Sequence, residues 1–123
     1  MRPFLLSLAA AALLVAPAAA ASSRATVVRG TVLYGTVGPG YTITLKTAAG
    51  KTVKTVPHGA VTIHVSDRSL DHDFHLTGAG VDRSTQVNQK GSFTWHVTLK
   101  AGRTYTYECD PHQLIMIGHF RAI

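Results

Sequence analysis

Three side chains near the end of the chain carry donor atoms that bind transition metals, and they lie within one short segment. Cys109, His112 and Met116 follow the spacing Cys-x2-His-x3-Met, which places a thiol, an imidazole and a thioether together. A fourth donor, the imidazole of His72, lies far upstream. Two imidazoles and a thiolate with a weak thioether ligand suit copper, because thiolate and thioether are soft donors. Zinc can use two His and one Cys but gains little from a thioether.

Cys109 is the only cysteine in the sequence. It therefore cannot take part in an intramolecular disulfide or a multi-cysteine zinc site, and its role is that of a lone thiol or thiolate. Taken alone, a buried cysteine is commonly a small apolar residue, and a methionine commonly fills space in a core. The combined spacing is more specific than either residue, and it predicts a metal site.

The segments that position these donors have the alternation expected of β-strands. Polar and apolar residues alternate with a period of two over residues 41–46, 61–65, 93–99 and 104–109. Turns rich in glycine and proline separate such segments at short intervals, and no stretch keeps helical spacing for three turns. The pattern predicts an all-β fold, an antiparallel Greek-key β-sandwich of seven to eight strands.

The last of these strands aims the thiol inward. Tyr105 and Tyr107 share the phase of Cys109, so the strand delivers the sulfur to the interior of the sandwich near its end. Asp110 and Pro111 follow, and we expect an extended turn there, because proline disfavours helical conformation in the residue before it.

The phase of the upstream segment selects His72 from the histidines. His72 shares the inward phase of Phe74 and Leu76, whereas Asp73 and His75 lie on the opposite face. An imidazole in the core needs a partner for its polar nitrogens. If His72 is considered by itself, a hydrogen-bonded structural histidine is the simpler interpretation. The donors in the C-terminal segment favour the interpretation of His72 as a metal ligand.

The other histidines are weaker candidates. His64 and His96 point outward by phase and His58 lies in a turn, so all three are interpreted as surface residues. His119, on the strand after the loop, and His75, out of phase, are held as competing ligands of lower rank.

The N-terminus has the pattern of a secretory signal peptide, predicted over residues 1–21. A basic start at Arg2, an apolar run and a small-residue stretch after Pro17 are typical of such segments, and the run is too short to span a bilayer. The sequence thus predicts one domain over residues 22–123. We expect a monomer, exported to the periplasm or the extracellular space, with no transmembrane segment.

The charge balance is basic but dispersed. The chain has 12 Lys+Arg against 6 Asp+Glu, a formal net charge of +6. Its basic residues are scattered, whereas a nucleic-acid interface needs a dense stripe with interleaved aromatic residues. We therefore expect no nucleic-acid partner, and a protein partner with an acidic docking surface is the compatible alternative.

At its donor residues the sequence resembles the cupredoxins, the family of small blue copper proteins. The matching segments are residues 71–78, DHDFHLTG, and residues 109–120, CDPHQLIMIGHF, and the similarity runs from about Gly30 to the C-terminus. The resemblance implies a Greek-key sandwich with one type 1 copper held by His72, Cys109 and His112, with Met116 as the axial ligand. It also implies one-electron transfer between larger redox partners, and no enzymatic activity.

Two features depart from the resemblance. Asp73 stands where many relatives have Asn, which removes an amide donor, so we expect a looser ligand loop or a lower copper potential. The loop also carries the apolar pair Leu114 and Ile115. We hypothesise that this pair forms a rim around the exposed edge of His112, the expected electron port, for docking of a partner; the alternative is that the two side chains pack inward. Glu108, outward by phase, is a candidate second port or charged docking contact.

Two other functions remain open from the sequence. A copper carrier or buffer of the cell envelope would use the same residues but exchange metal, so a competing chelator would remove its copper quickly. A metal-free β-sandwich that serves as a binding module would leave Cys109 free to react with thiol reagents in the holo preparation.

Overall fold

The structure is a computed structural model that describes residues 30–123. These residues form nine β-strands and one turn of 3-10 helix, Asp110–His112. The predicted signal peptide, residues 1–21, lies outside the described residues. The strands are β1 (Thr31–Val37), β2 (Ile43–Thr47), β3 (Thr55–Val56), β4 (Gly59–Asp67), β5 (His75–Gly78), β6 (Val81–Ser84), β7 (Gly91–Leu99), β8 (Thr104–Glu108) and β9 (Ile117–Ala122).

The strands form two sheets packed face to face, and the predicted Greek-key sandwich is confirmed. One sheet has the order β2-β1-β4-β7 and the other the order β3-β9-β8-β5-β6. Two details differ from the prediction of seven to eight antiparallel strands. Residues 30–123 contain nine strands, and β3 was not predicted because it has only two residues and shows no alternation. The pairs β1–β4 and β3–β9 are parallel, and a period of two carries no information on strand direction.

Buried side chains from both sheets fill the space between them, as the strand phases predict. Tyr105 and Tyr107 are buried, whereas His64 and His96 are exposed. The ring of Phe74 stacks on Tyr107 with ring centroids 5.8 Å apart. A Cβ on Gly35 would lie 2.8 Å from the Phe74 ring, so the absence of a side chain on β1 makes room for this aromatic pair.

Strand pairing brings the two predicted donor segments to one end of the sandwich. β5 and β8 are antiparallel neighbours, and His75 at the start of β5 pairs with Glu108 at the end of β8. The residues before β5 and the residues after β8 must therefore meet, although almost forty positions separate them. Within the described part of the chain, no helix has the length and apolar character needed to cross a membrane.

Candidate metal centre

Three of the four predicted donor side chains converge on one point. The Nδ1 atoms of His72 and His112 lie 3.0 Å apart, and the Cys109 sulfur lies 3.6 Å from the first and 3.5 Å from the second. His72 is 4% exposed and Cys109 0%, whereas His112 is half-buried. The structure thus brings the thiol and both imidazoles together under partial cover.

The spacing of these atoms fits a bound transition metal. A triangle with such sides has its centre about 2 Å from each corner, close to the bonds that imidazole nitrogen and thiolate make to a divalent metal. The set of two nitrogens and one sulfur, with a thioether nearby in the chain, has the softness that copper prefers. The residues present therefore fit a copper ion.

Met116 is fully buried at the end of the same loop. Its backbone carbonyl accepts a 3.0 Å hydrogen bond from the Cys109 amide, and its own amide donates to the His112 carbonyl at 2.9 Å. The thioether is thus carried by a residue whose backbone is hydrogen-bonded directly to both of the other loop donors, which holds these three residues in one unit.

The loop is closed by further backbone hydrogen bonds. The His112 amide donates to the Cys109 carbonyl at 2.9 Å, and the Ile115 amide donates to the His112 carbonyl at 3.1 Å. The expected extended turn at Asp110 is wrong: Cys109 is extended, and Asp110 begins a 3-10 turn with Pro111 in its first positions. Proline is tolerated there, because the first amides of a helical turn have no partner within it.

A buried carboxylate fixes the segment that carries His72. Asp67 at the end of β4 accepts hydrogen bonds from the Thr85 hydroxyl and from the Ser69 amide. The Thr85 hydroxyl oxygen in turn accepts a 2.9 Å bond from the Phe74 amide. This network lies on both sides of His72 along the chain. The alternation pattern does not reveal it, since Asp67 and Thr85 have no distinctive spacing.

Asp73 links the two donor segments directly. Its carboxylate accepts a 2.7 Å hydrogen bond from the Asp110 amide, so the loss of the amide donor relative to Asn does not free the loop. The expectation of an outward Asp73 is wrong, because the loop folds over it and leaves it buried. This burial raises the pKa of Asp73, and the nearby Asp110 carboxylate adds to the increase.

The surroundings of the thiol also shift its ionisation. Burial raises the pKa of Cys109 above its ordinary value of 9.0, and backbone amides of Asp73 and His112 act in the opposite direction. These amides stabilise the thiolate form, while the apolar surroundings disfavour it. A bound metal cation would supply the positive charge that stabilises the thiolate form of Cys109.

The comparisons with known proteins point to the same chemistry. Residues 36–121 match the family described as copper binding proteins, plastocyanin/azurin family. The chain belongs to this family. A search of curated proteins finds no match. Copper is the cofactor of this cupredoxin, and His72, Cys109 and His112 form the cluster of donor atoms that could hold it.

Among similar solved structures, auracyanin A shows the same fold. Auracyanin A, a "blue" copper protein from the green thermophilic photosynthetic bacterium Chloroflexus aurantiacus, is 17% identical; the similarity covers 77% of this chain and 100% of auracyanin A, with a TM-score of 0.52. Reduced rusticyanin is 22% identical over 75% of this chain and 78% of its own, with a TM-score of 0.47.

Tyr41 is a contact of the cupredoxin site that the sequence analysis missed. Its ring lies edge-on to both imidazoles, with centroids 5.3 Å from His72 and 4.9 Å from His112, and the residue is 64% exposed. The alternation over residues 41–46 predicted a strand residue, but β2 starts at Ile43 and Tyr41 lies in the preceding turn. An aromatic residue in a glycine-rich turn was the available signal.

The apolar pair on the ligand loop faces solvent. Leu114 is 98% exposed and Ile115 is 65% exposed, so the alternative that they pack inward is wrong. They lie two and three residues after His112 in the closed loop. Glu108 is half-buried at the end of β8.

The two competing histidines do not join the donor cluster. His75 contacts Asp82 and Asp110 through its two ring nitrogens, and His119 contacts the Thr106 hydroxyl. Register places both on the outer face of the sheet that contains β5, β8 and β9, away from the buried ring of His72.

We predict that Cys109 in the metal-free protein resists alkylation by iodoacetamide. Because the thiol is buried and its pKa is raised, the rate at neutral pH should be at least about tenfold below that of the urea-unfolded protein. The rate should rise through a midpoint above pH 9.0. Mass spectrometry of quenched samples measures it, and equal rates for folded and unfolded protein at pH 7 would contradict the prediction.

Proposed function

We propose that this chain is an exported type 1 copper protein that carries single electrons between larger redox proteins. In this proposal His72, Cys109 and His112 are the strong ligands and Met116 is the axial ligand. The observation that supports it most is the convergence of one sulfur and two Nδ1 atoms within 3.6 Å in a member of a copper-binding family.

The surrounding hydrogen bonds suit a site that must keep its shape. Copper, when bound, supplies a reversible one-electron change between Cu(I) and Cu(II). The Asp73 carboxylate, the Asp67 network and the backbone bonds of the loop fix the donor atoms independently of the charge at the site. Such outer contacts orient ligands and tune a metal centre. A copper carrier has less need of this rigidity, since it must release its metal.

Electrons would enter and leave at His112. It is the half-buried member of the donor cluster, and the exposed side chains of Leu114 and Ile115 lie on the same loop. These two residues with Tyr41 make up the apolar rim. Apolar surface of this kind next to a redox site favours brief docking of a protein partner. We assign no catalytic role to this chain.

Export and the state of the mature protein are part of the proposal. The signal-like pattern of residues 1–21 supports removal of that segment and a single domain over residues 22–123 in the periplasm or outside the cell. The dispersed basic charge suits a redox partner with an acidic surface, and we expect the mature protein to be a monomer.

The electron-carrier function predicts reversible redox chemistry without loss of metal. The copper-loaded protein should give a one-electron wave in cyclic voltammetry and should keep its copper against excess EDTA when oxidised and against bathocuproine when reduced. The fixed donor atoms are the physical reason, because reorganising the site would be costly. Complete loss of copper to either chelator within minutes would instead establish the copper carrier.

The apolar rim predicts a selective loss of partner reactions. The double variant Leu114→Ser, Ile115→Ser should react about tenfold more slowly with its best partner from a panel of c-type cytochromes, the effect of losing one good interface contact. Stopped-flow mixing measures this rate. Reaction with ferricyanide, which is too small to use the rim, should be unchanged.

The control variant is Val32→Ser, Ile123→Ser. It removes two exposed apolar side chains at the end of the sandwich opposite the ligand loop, and its cytochrome rates should equal those of the wild type. Unchanged cytochrome rates in the rim variant would refute the docking role.

A further inference from the structure

His75 lies between two carboxylates. Its Nδ1 is 2.8 Å from an Asp110 oxygen and its Nε2 is 2.8 Å from an Asp82 oxygen. A neutral imidazole has only one N–H, so it can donate one of these hydrogen bonds but not both. The geometry is satisfied by the doubly protonated, positively charged ring. These contacts are the only ion pairs found among residues 30–123.

The charges around His75 favour this form. Burial lowers the pKa of His75, but hydrogen bonds and charge from Asp110 and Asp82 outweigh it, so the pKa is raised from 6.5. The charged groups near the ring are Asp82 from β6, Glu108 from β8 by register, Asp110 from the ligand loop, and Asp73. All four are acidic.

Asp110 is the point at which His75 reaches the site. It lies between Cys109 and His112 in sequence, and its amide bonds to Asp73. Donor atoms of Asp73, His75 and Asp110 lie within 4.8 Å of one another, so two carboxyl groups converge beneath the loop. Like charges at this distance repel, and a cation between them relieves the repulsion. His75 is the group placed to supply it.

We propose that His75 is a positioning residue for the ligand loop, which its imidazolium ties through Asp110 to the hairpin of β5 and β6. Its hydrogen bonds go to Asp82 and Asp110 and to none of the four donor residues, so its effect reaches them through the loop. The link to copper rests on the proposed function, while the tie itself is a property of the metal-free protein as well. The contribution is complete below pH 6.5, the ordinary pKa, and is lost as the pH rises through the raised value.

The test compares His75→Gln with His119→Gln. The control carries the same substitution on the same sheet face, where the ring is hydrogen-bonded to the neutral Thr106 hydroxyl. In the metal-free protein, hydrogen exchange of the Asp110 amide, followed by NMR, should be about tenfold faster in His75→Gln at about pH 6 and unchanged in the control. An Asp110 amide that exchanges at the wild-type rate in His75→Gln would overturn the proposal.

A second readout follows copper. Any slow loss of copper to EDTA over long incubation should be about tenfold faster from His75→Gln than from wild type at about pH 6, the lower end of the effect of removing an outer contact. The ratio should approach one above the His75 pKa. Protonation of the ligands has the opposite pH dependence, because it weakens copper binding as the pH falls. It affects both proteins alike and therefore cancels in this ratio. A ratio that stays constant with pH would show a merely structural effect and overturn the proposal.

The variant Asp82→Asn keeps the ring and removes the distant carboxylate. It should lower the pKa of His75, so the pH at which Asp110 exchange accelerates should move down. This variant decides the question if His75→Gln does not fold, and an unmoved transition would overturn the proposal. A wild-type protein that binds no copper would refute the proposed function, and amide exchange would still decide the role of His75.

Discussion

The hydrogen bond from the Asp110 amide to the Asp73 carboxylate joins the two segments on which the metal centre depends. Residue 73 follows His72, and residue 110 follows Cys109, so a single bond sets the distance between donors that lie far apart in the chain. The pairing of β5 with β8 brings these segments to the same end of the sandwich, and the bond determines how they meet. The acceptor has a cost, since burial disfavours the charged form of the Asp73 carboxyl and so raises its pKa.

Sequence reasoning was sufficient where a periodic or spaced pattern existed. Alternation predicted the sandwich and the inward direction of Cys109, and the spacing of the last three donors predicted that the loop holds them together. It failed where position depends on partners from elsewhere. Nothing near Asp73 shows that a loop will cover it, and the alternation over residues 41–46 does not show that Tyr41 leaves the strand and contacts both imidazoles. Strand direction and the nine-strand count also depend on pairing, which one sequence does not contain.

Burial and exposure are divided sharply within the ligand loop. Cys109 and Met116 at its ends are buried, and His112 is half-buried. Leu114 and Ile115, which follow His112, face solvent. A closed set of backbone bonds makes this division stable, because each end of the loop is tied to the other. The same eight residues therefore serve the interior, where donor atoms must be fixed, and the surface, where a partner would dock. This arrangement suits an electron carrier better than a carrier that hands over its metal.

Titration of the purified protein with Cu(II), followed by visible absorption and repeated with Cys109→Ser, tests the central claim most directly. The account predicts an intense blue thiolate-to-copper band that saturates at one equivalent of copper and is absent in the variant. Serine keeps the size of the side chain and removes the soft donor, so both proteins should show the same far-UV circular dichroism. A folded, colourless wild-type protein, or a band that survives in Cys109→Ser, would contradict the assignment of Cys109 as a ligand in a type 1 copper site.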